Sequence, residues 1–262
     1  MSQSVEIHSR VVGQGGRKVV FLHGLMGQGK NFTTIAKALE LDYSSLLVDL
    51  PNHGRSGWTD DFGYVEMAEL VAADLAADFA SDGPIDLVGH SLGGKVAMVL
   101  ALRHPELIRR LVIVDIAPAA SNGVDDFVHL LGSLSALDLA ALTSRGEADE
   151  QLAEDIPKAS VRGFLLQNLQ RGADGWQWRP NLDLLRNSLS EIGGFPEIGA
   201  TNDGPVLWLA GGDSPYIKPE HTPAMRALFP STVKATIKGA GHWVHSEQPE
   251  AFVNALRTFL KD

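Results

Sequence analysis

Ile85-Asp86-Leu87-Val88-Gly89-His90-Ser91-Leu92-Gly93-Gly94 is the stretch on which the reading of this chain turns. Ile85–Val88 is a short apolar run of the kind that forms a buried strand. A segment rich in Ala, Val and Leu, Leu92–Arg103, follows with helical character. Between them, Gly89-His90-Ser91-Leu92-Gly93 matches G-x-S-x-G, a pattern that means little alone and more inside a strand–turn–helix context. The glycines let the backbone turn sharply with no Cβ in the way. Ser91 Oγ would then project from the carboxyl end of the sheet, over the helix N-terminus. The Leu92 N–H would be free to receive a developing oxyanion. The same residues also fit a plain strand-to-helix turn with a serine cap, and the motif alone leaves both readings open.

Working outward, further apolar runs read as strands: Lys18–Leu22, Ser45–Val48, Arg110–Val114, Val206–Leu209 and Val233–Ile237. They alternate with segments of helical spacing at Asn31–Leu41, Val65–Phe79 and Pro249–Leu260. That alternation predicts an α/β doubly wound architecture, a mostly parallel sheet covered by helices on both faces. Val5–Val12 reads as a small antiparallel hairpin at the sheet edge. After Pro118 the alternation stops. No strand is convincing before Phe195, and Phe127–Leu134, Leu139–Ser144, Glu150–Ile156, Val161–Gln170 and Leu182–Ile192 read as helices. The expected division is a core of residues 1–117 and 196–262 with a helical insert, residues 118–195, placed after the sixth strand.

The 262 residues carry 22 basic and 32 acidic side chains, a net charge of −10, and 44% are hydrophobic. This excludes disorder as the main state and disfavours nucleic-acid or anionic-membrane partners, which need clustered Lys and Arg. There is no cysteine, so disulfides, thiolate nucleophiles and cysteine metal sites are excluded. MSQSVEIHSR has no apolar stretch of signal-peptide length, and no run approaches the ~18 apolar residues of a membrane span. A cytoplasmic protein without membrane insertion is expected; the oligomeric state is left open.

Two further features compete for the chemistry. Gly24, Gly29 and Lys30 fit G-x-x-x-x-G-K of a phosphate-binding loop, with Asp49 and Asp115 as conceivable magnesium ligands. Asn31, however, stands where that motif needs a hydroxyl. A serine needs a base, and among nine histidines His242 stands out. It follows the last strand in Gly239-Ala240-Gly241-His242-Trp243, on the same sheet edge as Ser91. His245 makes an H-x-x-H pair with it, a weak metal signal without further ligands, and neither a metal nor a cofactor is expected.

His23-Gly24, Asp49-Leu50-Pro51-Asn52-His53-Gly54-Arg55-Ser56, Gly89–Gly94, and Gly239–His242 with Glu247-Gln248-Pro249 together resemble the α/β-hydrolase superfamily over nearly the whole chain. The Asp49–Ser56 segment, Trp178-Arg179-Pro180-Asn181-Leu182 and Gly211-Gly212-Asp213-Ser214-Pro215 are similar to a narrower group, the small YbfF-type esterases. The resemblance implies Ser91 as nucleophile and His242 as base. It also implies an oxyanion hole from the Leu25 and Leu92 amides, under a helical cap. In such a fold the Gly24–Gly29 loop donates an oxyanion amide and does not cradle phosphate.

The acid that orients the histidine is less determined. In most of the family it follows the seventh strand in a G-x-x-D pattern, whose acid position here holds Ser214, with Asp213 one residue early. Asp115 ends the strand after the nucleophile and is preferred, with Ser214 as an auxiliary partner of His242 and Asp213 as the alternative. Asp49 and Asn52–Ser56 read as loop-shaping residues. Trp243 and His23 are expected to border substrate, while Trp176 and Trp178 read as filler. The expected activity is hydrolysis of a small-molecule acyl ester or thioester through an acyl-enzyme. A cofactor-free lyase or C–C hydrolase, a non-catalytic ligand receptor and a phosphate-loop protein are the alternatives.

Overall fold

The computed structural model describes residues 5–120 and 124–261, with the side chains of 124–126 outside the description. Among the described residues a seven-stranded sheet has the order β1-β3-β2-β4-β5-β8-β9. Its strands are β1 (Ser9–Val12), β2 (Arg17–Leu22), β3 (Tyr43–Val48), β4 (Ile85–His90), β5 (Ile108–Val114), β8 (Val206–Gly211) and β9 (Thr232–Ile237). β1 pairs antiparallel with β3 and every other pairing is parallel. The core helices are α1 (Thr33–Leu39), α2 (Tyr64–Ala77), α3 (Leu92–Arg103), α9 (Thr222–Leu228), α10 (Val244–Glu247) and α11 (Pro249–Leu260). Between β5 and β8 run α4 (Val124–Ala136), α5 (Arg145–Gln151), α6 (Ala159–Leu166), α7 (Leu182–Asn187) and α8 (Leu189–Gly193). A separate hairpin of β6 (Leu169–Gly172) and β7 (Gly175–Trp178) also lies there.

Three sequence expectations need correction. The edge element at residues 5–12 is one strand, Ser9–Val12, and not a hairpin: Arg10, Val11 and Val12 pair with Leu47, Leu46 and Ser45 of β3. The insert therefore follows the fifth described strand. The insert is also not wholly helical. α6 stops at Leu166, and Leu169–Trp178 forms the hairpin, with Trp176 and Trp178 packed on the main core. Finally, Leu139–Ser144 is not a helix. The next helix instead starts at Arg145, where Ser144 Oγ accepts the Glu147 amide at 3.1 Å. Ser144-Arg145-Gly146-Glu147 carries the S-x-x-E signature of a helix start.

β4 and α3 form the centre. Every residue of β4 is buried, and so is α3 from Leu92 to Leu102. A helix apolar on all sides must lie between layers, and α3 packs against α2, β4 and β5. The outer helix α11 buries one stripe, Phe252, Val253, Leu256 and Leu260, as its 3.6-residue period requires. The chain leaves β2 towards β3 on one side and β4 towards β5 on the other. The carboxyl ends of β2 and β4 therefore open a crevice of the kind where ligands bind in open α/β sheets.

One lysine ties the insert to this centre. Lys95, one turn into α3, is 1% exposed. Its Nζ donates to the carbonyls of Ile192, Gly193 and Gly194 at 3.2, 2.8 and 2.6 Å. Burial pushes its pKa down to about 8, so the ammonium form still prevails at neutral pH. Tyr64 of α2 donates to the same Ile192 carbonyl at 2.6 Å. Lys95→Met is expected to cost about 2 kcal/mol, because three carbonyls lose their charged partner and only that of Ile192 keeps another donor, Tyr64. Urea unfolding measures it.

The glycine of the turn is fixed by its surroundings. A Cβ on Gly93 would lie 2.4 Å from the His23 carbonyl oxygen and 2.5 Å from that of Leu22. Both are backbone atoms of β2 and its exit and cannot swing aside. Gly93→Ala is expected to destabilise by about 3 kcal/mol, whereas Gly163→Ala in α6, where a Cβ meets nothing within 4 Å, should gain up to about 1 kcal/mol. Thermal and urea denaturation of the two variants provide the check.

Candidate active site

The register of β4 on β5 prepares the site. Gly89 pairs with Ile113 and His90 with Val114, so the next residues, Ser91 and Asp115, leave adjacent strand ends together. The Ser91 amide donates to the Val114 carbonyl at 3.0 Å and the Asp115 amide to that of Leu209 at 2.8 Å. Both residues have positive φ, 53° at Ser91 with ψ −119° and 51° at Asp115. Such conformations cost non-glycine residues about 1–3 kcal/mol and persist where the surroundings enforce them.

Ser91, His242 and Asp115 form a continuous relay. Ser91 Oγ lies 3.0 Å from His242 Nε2, and His242 Nδ1 lies 2.8 Å from Asp115 Oδ2. His242 arrives on the loop between β9 and α10. Asp115 is 0% exposed, and its burial is matched by donors. The Gly211 amide donates to Oδ1 at 2.9 Å, and the Ser214 hydroxyl to Oδ2. Asp213 is exposed and stands outside the relay: its amide donates to the Ala240 carbonyl, and no bond of its carboxylate to a described residue occurs. Ser214 differs from expectation in its partner. Its hydroxyl reaches the Asp115 carboxylate and not His242, because the chain after β8 passes beside the strand end of β5.

Around the imidazole stand groups that the sequence did not single out for this role. Tyr216 stacks on the His242 ring at 3.9 Å between centroids, 18° from parallel. His90 Nε2–H donates to the His242 carbonyl at 2.8 Å. Burial, with His242 and His245 nearby, holds His90 well below the usual histidine range, so it is a neutral strut. His245 packs on Phe32 at 4.5 Å, and burial drives its pKa to about 3.

The loop after β2 closes the other side. Gly24 lies against His90 and Ser91, with about 3 Å left for any added Cβ. The Leu25 and Leu92 amides donate to no described residue. Other amides of the same loop are spent internally: Gly27 on the Gly24 carbonyl at 2.9 Å, Gln28 on Asn31 Oδ1 at 2.7 Å and Gly29 on Asp49 Oδ1 at 2.7 Å. Those three amides are unavailable to cradle a phosphate, and Asn31 serves as the loop's own cap. Asp49 also accepts the Arg55 amide at 2.9 Å, the loop-shaping role expected of it.

Two small cavities flank Ser91. One, about 30 Å³, is lined by Leu25, Leu92, Lys95, Phe127, Leu189 and Ile192 among others. The second, about 20 Å³, is bordered by His23, Phe164, His242 and Trp243. Trp243 thus borders the same cavity as Ser91 and His242. His23 borders the same space, but its ring nitrogens are committed. Nε2 accepts the Leu50 amide at 3.0 Å and Nδ1–H donates to the Gly24 carbonyl at 2.8 Å. It turns its ring to the cavity and has no free nitrogen.

Comparison with known proteins follows the same direction. Residues 19–255 match the family described as "Alpha/beta hydrolase family". The mouse protein named sn-1-specific diacylglycerol lipase ABHD11 is 38% identical over 250 residues, covering 92% of this chain and 80% of its own. Esterase YbfF of Escherichia coli (strain K12) is 32% identical over 244 residues, covering 93% of each chain. A solved structure described as a marine microorganism esterase superposes with a TM-score of 0.94 at 33% identity, covering 98% of this chain and 100% of its own.

The two acid positions are separable by kinetics. Asp115→Asn is expected to lower kcat on an activated ester by about 10⁴-fold, the loss seen when a triad acid becomes an amide. Asp213→Asn should stay within a few-fold of the unmodified protein. The opposite ranking would transfer the acid to Asp213.

Proposed function

The chain belongs to the alpha/beta hydrolase family, and on that premise we propose that it is an esterase/lipase-type hydrolase cleaving carboxylic esters or acyl thioesters through an acyl-enzyme on Ser91. The observation that carries this reading is the Ser91–His242–Asp115 relay, 3.0 Å and 2.8 Å between successive heteroatoms. A lone serine hydroxyl is a weak nucleophile, and an adjacent base held by a third group is what activates it.

Each residue then has one task. His242 Nε2 takes the Ser91 proton as Oγ attacks the carbonyl carbon. Asp115 holds Nδ1–H, fixes the tautomer that leaves Nε2 as acceptor, and stabilises the imidazolium that forms. The tetrahedral oxyanion is received by the Leu25 and Leu92 amides, which have no other described partner and need no reorganisation at the moment of reaction. His242 then protonates the departing alcohol or thiol. A water, deprotonated by His242, attacks the acyl carbon and frees Ser91. Residues 118–195 act as a cap over the core of residues 1–117 and 196–262. They supply Phe127, Phe164, Leu189 and Ile192 to the walls beside Ser91.

The relatives' names, esterase and diacylglycerol lipase, support ester cleavage as the reaction class. Among the described residues no helix is long and apolar enough to cross a membrane. With a cysteine-free sequence, a cytoplasmic site of action is the consistent reading.

A serine-directed fluorophosphonate is expected to label Ser91 stoichiometrically, read by peptide mass spectrometry, and to abolish hydrolysis of p-nitrophenyl acetate. Ser91→Ala should lose at least about 10⁴-fold in kcat. Absence of both labelling and ester cleavage across a chain-length series would remove the proposal.

A further inference from the structure

Five cations from five separate stretches line one pocket of about 380 Å³ where the insert meets the sheet. Arg10 lies in β1, Lys30 in the short turn after β2, and Arg55 in the loop after β3. Arg145 opens α5 and Arg179 directly follows β7. The segment 24–31 borders two cavities. Gly24, Leu25, Gly27 and Asn31 border the one at Ser91, and Gln28 and Lys30 border this one.

These five charges are compensated only in part, by the single carboxylate of Asp49. None of the five forms an ion pair with an acid among the described residues. Arg10 donates to Thr33 Oγ1 at 2.8 Å and Arg145 to the Leu169 carbonyl at 2.6 Å, both neutral acceptors. Asp49 borders the pocket and attracts Lys30 and Arg179. Its two oxygens accept the Gly29 and Arg55 amides, so it contributes one negative charge against five positive ones without a direct ion pair. Mutual repulsion is visible in the proton equilibria. Burial, then Arg179, together with Arg145 and Arg55, lowers the Lys30 pKa, and burial followed by Arg55 and Arg145 lowers that of Arg179. In a chain of net charge −10, this is a local positive field that attracts anions.

We propose that the pocket binds a small phosphate-bearing molecule, its anionic group held by Lys30, Arg55 and Arg179. Guanidinium forks match phosphate oxygens two at a time, and a lysine adds a mobile point charge. The volume lies within the range of small-molecule sites, about 300–1,000 Å³, and exceeds the need of a single orthophosphate. A diphosphate or a phosphate ester with a polar remainder fits better, with Gln28 and Gln167 also lining the pocket. The site does not include Ser91 and does not depend on the hydrolase reading.

Calorimetric titration of the full chain, as its Ser91→Ala variant, with inorganic pyrophosphate tests this. One-to-one binding that weakens as salt is raised is expected. Arg55→Gln and Arg179→Gln should each weaken it about tenfold, the loss of one charge-assisted contact. Neither side chain makes a hydrogen bond within the described protein, the bonds of Arg55 and Arg179 being made by their backbones, so both variants should melt at the parent temperature. Lys30→Gln provides an independent third variant should either fail to fold. Malonate, a dianion of carboxylates, should bind at least about tenfold more weakly. No binding of pyrophosphate, equal binding of malonate, or affinity untouched in the Arg55→Gln/Arg179→Gln double variant would each overturn the proposal.

Discussion

The arrangement at the sheet edge hangs on one buried carboxylate. Asp115 is fully enclosed, and a buried charge must have partners or it costs several kcal/mol. The partners it has come from three places: the end of β8 through Gly211, the following turn through Ser214, and the β9–α10 loop through His242. Satisfying one charge therefore gathers a strand end, a turn and a loop. The position of His242 relative to Ser91 is a by-product of that gathering, reinforced by the bond from His90 to the His242 backbone. Electrostatic need and chemical geometry are the same contacts.

The insert is held on the core by polar contacts placed among apolar ones. Lys95 and Tyr64 converge on the carboxyl end of α8. Asn168 donates to the Met26 carbonyl at 2.7 Å and accepts from Gln28 at 2.6 Å, so the loop that bears Leu25 is braced from above. The Asn181 amide donates to the Asn52 carbonyl at 3.0 Å. Buried hydrogen bonds of this kind add less net stability than apolar burial but fix one arrangement among many. The walls beside Ser91, drawn partly from α4, α6 and α8, inherit that definition.

Much of this was legible in the sequence, and the reasons for the rest are physical. Strand–turn–helix around Ser91 is local, and so is the glycine-framed loop of His242; both could be read from neighbouring residues. The choice between Asp115 and Asp213 depends on strand register and on where a turn points, neither of which is written in spacing. Nothing near Lys95 in the sequence marks it as buried, because the carbonyls that hold it lie 97 to 99 residues away. The hairpin at Leu169–Trp178 is too short for periodicity to announce, although Trp176 and Trp178 alternate with polar Gln177 as a strand would. The basic pocket is invisible for the same reason as Lys95: its five charges are scattered over 170 positions and meet only in the fold.

The backbone at Ser91 has one more implication. A residue at φ 53° and ψ −119° is held in a region that glycine occupies without penalty. The hydroxyl proposed as nucleophile thus sits on a spring that its own replacement by glycine would release. Laboratory evolution sorted only for heat resistance would be drawn to glycine at position 91, and would report success while the proposed nucleophile was lost. Durability and turnover pull against each other at this single backbone angle, so any screen for hardier variants of this protein has to count product as well as folded molecules.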